Sequence, residues 1–143
     1  MSLSNVVIAY ESEASARRRL AAFGYPPEIA AEIAVYLGQA TDLPDFFEEI
    51  REAARRAGIE VEFVELEHLL ALLPDYSERR ERTLVWSITD GVRFYRGSAV
   101  AAVSRLAGFA RFGSPATAQH LCQDKFASLA LASAAGLASR RRN

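Results

Sequence analysis

"NVVIAY", residues 5–10, places three β-branched residues in a row and shows no alternation of apolar with polar positions. A strand with one wet face alternates. A run that is apolar on both sides fits a strand buried on both faces, as in a parallel sheet. Such a sheet predicts strands alternating with helices further along the chain.

The rest of the sequence reads that way. "ESEASARRRLAAF" predicts a helix with a polar start, ended at Gly24, and Pro26 and Pro27 open a second one. That second helix, "PEIAAEIAVYLGQA", repeats Ile29, Ile33, Tyr36 and Leu37 at helical spacing. In "TDLPDFFEEIREAARRAG" Thr41 or Asp42 can cap the start, acids crowd the first turn, Arg55 and Arg56 the last, and Gly58 stops it. "IEVEFVEL", residues 59–66, alternates and predicts a strand. A short helix ended at Pro74 and a charged segment, "ERRER", separate it from the strand "TLVWSI", residues 83–88. Ser98 is the expected cap of the next helix and Gly108 its stop. "FARFGS" then gives a brief fourth strand. From Ser114 onward two helices are expected, the first capped by Ser114 with Pro115 behind it, the second capped by Asp124.

The composition narrows the class. The chain has 143 residues, 50% hydrophobic and 24% charged, with a formal net charge of −1. It has the core-forming content of a folded domain and lacks the basic excess of a nucleic-acid or anionic-membrane binder. Cys122 is the only cysteine, so no intrachain disulfide forms, and a lone thiol in an apolar helix is expected to be a small buried hydrophobe. No signal peptide and no run of membrane-spanning length is read, which predicts a cytoplasmic protein.

Ligands of open parallel sheets sit beyond the carboxyl ends of the strands. Residues 11–13, 89–97 and 113–114 are the loops expected there. No glycine-rich dinucleotide fingerprint follows the first strand, no phosphate-binding P-loop occurs, and no serine lies in a nucleophile-elbow context. The two histidines, on separate predicted helices, and one cysteine make no structural zinc site. One oddity remains. Of seventeen Lys and Arg residues only Lys125 is a lysine. Composition bias explains the arginines; a site that keeps an ammonium can be one that needs a compact, mobile point charge.

The order of features over residues 83–137 resembles the N-terminal, pre-ATP-grasp domain of ATP-grasp ligases, especially the D-alanine–D-alanine ligase branch. The likeness rests on a strand ending in Thr89-Asp90-Gly91, a helix, and a short strand ending in Gly113-Ser114. A small-residue helix ending in Asp124-Lys125 and a helix ending in Ala135-Gly136-Leu137 complete it. It implies a Rossmann-like three-layer α/β domain over 1–137, with a mostly parallel sheet of about four strands. Residues 138–143 would be a basic tail or the start of a linker to ATP-grasp domains outside this chain.

The resemblance implies that Lys125 contacts nucleotide phosphate, the alternative being a solvated lysine at a helix start. Asp90 and Gly91 would form a substrate-side loop, or an ordinary Asp-Gly turn. Gly113 and Ser114 would let backbone approach the ligand, besides serving as a helix cap. Glu11 would meet a small carboxylate or amine substrate, although the glycines usual after the first strand are missing here. ATP is the implied cofactor, its magnesium held by the other domains; no catalytic residue and no metal ligand is assigned to this chain. In the whole enzyme ATP would phosphorylate a carboxylate and an amine would attack the acyl phosphate. The alternative is a stand-alone binding or dimerisation module, with "PEIAAEIAVYLGQA" and "FASLALASAAGLA" as the self-association face of a homodimer.

Overall fold

The computed structural model describes residues 2–38, 43–88 and 96–137. Its strands are β1 (Asn5–Tyr10), β2 (Glu60–Glu65), β3 (Thr83–Ser87) and β4 (Ala110–Phe112). All pair in parallel, in the order β2-β1-β3-β4. The helices are α1 (Glu13–Ala22), α2 (Pro27–Gly38), α3 (Phe47–Arg56), α4 (Leu69–Leu72), α5 (Arg96–Leu106), α6 (Ala116–Gln123) and α7 (Lys125–Ala134). The architecture is α/β and Rossmann-like, a parallel sheet between helical layers, as the both-sides-apolar reading of residues 5–10 requires.

Register divides the strand residues between two faces. Val7, Ala9, Val64 and Val85 share one face, and Leu69, Leu73, Tyr76, Val100 and Phe109 close over it to form the main core. Glu62 lies on this face at the sheet edge, where it accepts a hydrogen bond from the Tyr76 hydroxyl. The other face carries Val6, Ile8, Val61, Phe63, Leu84, Trp86 and Phe112. There α3 covers β2: Phe47 stacks on Phe63 at 3.8 Å between ring centres, and Tyr10 meets the edge of Phe47 at 5.1 Å. α1 and α2 form a hairpin around Ala16, Leu20, Ala30 and Ala34. α6 packs on α5, and α7 on α6.

Local details depart from the sequence reading at several points. Pro74 does not end the helical region; a 3-10 segment runs from Leu73 to Arg82, because proline is tolerated in its first turn. Ser98 is not a cap but lies buried inside α5, which starts two residues earlier. Pro115, extended at φ −55° and ψ 150°, takes the cap position expected for Ser114. Cys122 is exposed rather than buried, because α6 is covered only where it meets α5 and α7. Thr41 and Asp42, the expected caps before α3, lie outside the described residues.

Candidate functional site

All four strands point their carboxyl ends the same way, so Glu11 after β1, Ile88 after β3 and Gly113 after β4 line one edge of the sheet. From β1 the chain goes first to β2 on one side and then to β3 on the other. The crevice between the ends of β1 and β3 is therefore the switch point at which ligands of such sheets bind. No helix among the described residues is long and apolar enough to cross a membrane.

The β1 side of the crevice is a set of matched charges. Ser12 caps α1 by accepting from the Ser15 amide at 3.1 Å. The Ser12 amide donates to Glu65 Oε2 at 3.2 Å, tying the end of β2 to the start of α1. Glu11 is 5% exposed. Both its oxygens accept from Arg19, from Nε and Nη2, each at 2.8 Å. Such a bidentate pair fixes the guanidinium in its plane. Arg17 pairs with Glu13 at 2.7 Å and Arg18 with Glu67 at 2.8 Å, both at the surface. The Arg18 hydrogen bond holds the Glu67 carboxyl below its ordinary range. Burial raises the Tyr10 phenol, and the Glu65 charge adds to that. On the β3 side the Ser87 hydroxyl is buried with no hydrogen-bond partner among the described residues. Asp90 and Gly91 lie outside the described residues.

The β4 side is built from backbone. Gly113 has φ 100°, a left-handed conformation that a side chain strains, so glycine is what lets β4 turn into α6 here. Arg111 Nη1 donates to the Gly113 carbonyl and Gln119 Nε2 to the Ser114 carbonyl, both at 2.9 Å, which stiffens the turn. Ser114 itself is exposed.

Lys125 is placed by a break in the helix. Asp124 adopts φ −94° and ψ 97°, which ends α6, and its carboxylate accepts from the Phe126 and Ala127 amides at 2.9 Å, which starts α7. The aspartate thus spends its charge on backbone donors. Lys125, the first residue of α7, is exposed, and no carboxylate pairs with it among the described residues. A cation at a helix N-terminus is at the end where amides and dipole also favour an anion. Eight residues of α6 separate it from the Gly113 turn, a rise of about 12 Å.

The structure thus gathers Glu11, Gly113 and Ser114 at one edge and sets Lys125 one short helix away. Sequence reasoning missed Arg19 and Glu65. The signal for Arg19 was its spacing from Glu11, two helical turns along α1; Glu65 carried no local signal, because its partner is a backbone amide on another element.

No family model, curated protein or solved structure matches this chain.

Proposed function

We propose that this chain is the substrate- and nucleotide-contacting N-terminal domain of a cytoplasmic, ATP-dependent carboxylate–amine ligase of the ATP-grasp type, related to D-alanine–D-alanine ligases. The observation that carries the reading is the Asp124–Lys125 break. The acid caps α7 and the exposed ammonium at its start has no carboxylate partner among the described residues, which is the arrangement a phosphate contact calls for.

The donor set fits part of the cofactor. A mobile ammonium beside a helix N-terminus suits nucleotide phosphate, and the Gly113 turn lets backbone approach a ligand closely. On this reading magnesium is held by other domains. When bound, ATP supplies the phosphoryl group that activates a carboxylate for attack by an amine. This chain's share is to bind and orient. Lys125 neutralises phosphate charge; Glu11, buried and paired with Arg19, braces the substrate side of the crevice; Gly113 and Ser114 shape the wall. Asp90 and Gly91 belong to the same proposal as the substrate-side loop.

Phosphate release tests the division of labour. The purified chain with ATP, magnesium and mixed amino acids is expected to release no phosphate above buffer. Turnover that Lys125→Ala removes would show the whole reaction to reside in this chain and overturn the proposal.

A further inference from the structure

Parallel sheets are covered on both faces, and the described residues of this one cover one face and half of the other. Beside α3, no described element covers the sheet over β3 and β4. Trp86 is 36% exposed and Phe112 61% exposed, their rings meeting edge to face at 5.2 Å. Between them and Ile50 and Ala54 of α3 lies an apolar groove of about 290 Å³, with no polar side chain in its lining. The same chain holds a helix, α7, with no described residue packed on its outer side. Phe126, Leu129, Ala130 and Ser133 follow the i, i+3, i+4, i+7 spacing of one helical face. Phe126 is 83% exposed, Leu129 55%, and Leu137, just past the helix, 66%. No charged residue occurs from Phe126 to Leu137.

The two surfaces do not meet within one copy. α7 rests on α6 and α6 on α5, while Val100 of α5 seals the opposite face of the sheet. We infer that the chain forms a two-fold dimer in which α7 of each copy lies in the groove over β3 and β4 of the other. Two-fold symmetry makes such an exchange reciprocal, so each copy gives one helix and receives one. The area supports it. Trp86, Phe112, Phe126, Leu129 and Leu137 expose on the order of 500 Å² per copy, judged by the size of aromatic and leucine side chains. A pair of copies then buries on the order of 1,000 Å² before any neighbouring residue is counted, which is the size a specific interface needs. No charged side chain lines the groove, and on the helix Lys125 stands at the end of the face, where its four-carbon stem lets the ammonium stay in water. The inference rests on these surfaces and does not depend on the ligase reading.

Sedimentation velocity of the full chain across a wide concentration range tests it, with Phe112→Glu on the sheet and Phe126→Glu on the helix. Both positions are mostly exposed, so both variants are expected to keep the wild-type circular dichroism. Wild type is expected at twice the chain mass, each variant at the chain mass. Trp86 is the only tryptophan, so its emission shifts to the blue on association. A monomeric wild type or a dimer that survives Phe126→Glu overturns the inference. Should Phe112→Glu unfold, Phe126→Glu and the Trp86 emission still decide it.

Discussion

Near the start of the chain three consecutive arginines, Arg17, Arg18 and Arg19, each meet a carboxylate; near its end Lys125 meets none among the described residues. Both regions belong to a helix that follows a strand end or a sharp bend, the arginines in the middle and last turn of α1 and Lys125 at the first residue of α7, and both contain an acid. The acids are used differently. Glu11 is buried and gives both oxygens to Arg19, whereas Asp124 gives Oδ1 to two backbone amides. The planar guanidinium is fixed as a strut between β1 and α1. The ammonium beside Asp124 is left to solvent or to a ligand. The difference teaches that a cation next to an acid is not a pair until the acid's other partners are counted.

The largest expected effect tests the strut. Glu11→Ala leaves Arg19 in a partly buried place without its carboxylate, and removing one member of a buried pair costs about 3–5 kcal/mol. Urea unfolding followed by circular dichroism reads this as a lower midpoint. A loss no larger than that of a surface pair would put the Glu11–Arg19 contact in water. The next effect tests the break. Asp124→Ala removes the cap of α7 and is expected to cost about 1 kcal/mol by the same measurement. An unchanged midpoint would mean that α7 needs no cap and that Lys125 is not held in place by it.

The smallest effect concerns the surface pair. Because Arg18 lowers the folded-state pKa of Glu67, that pair stabilises the fold above the ordinary carboxyl range and loses its contribution as pH falls through the lowered value. Arg18→Gln is expected to return the Glu67 titration, followed by carboxyl-carbon NMR, towards 4.5, with the midpoint of unfolding near neutral pH barely altered. A titration that does not move would assign the shift to something other than Arg18.

Much of the fold was legible because it rests on periodicity. The both-sides-apolar run at residues 5–10, the later strands and the glycine stops together specify a parallel sheet. The Asp124 cap was legible too, since a short acid ahead of a helical run has one strong use. What was not legible depended on partners far away in the chain. Trp86 and Phe112 sit in apolar strands that read as fully covered, and only the position of α7, resting on α6, shows that no described element covers this part of the sheet. The expected caps Ser98 and Ser114 failed because the chain entered its helices two residues earlier in one case and one step later in the other. The roles of Glu11, Gly113, Ser114 and Lys125 came from a likeness in the order of short motifs. The structure shows where these residues stand, and ligand binding tests what they do.

Having one lysine gives that test a clean reporter. With lysine labelled at Nζ, a single side-chain NMR signal reports Lys125 alone. Titration with a non-hydrolysable ATP analogue is predicted to shift that signal saturably, and Lys125→Ala is predicted to weaken binding of the analogue at least tenfold, about 1.4 kcal/mol. A Lys125 signal that stays in place at saturating analogue, or an analogue affinity that Lys125→Ala leaves unchanged, would contradict the phosphate-contact role.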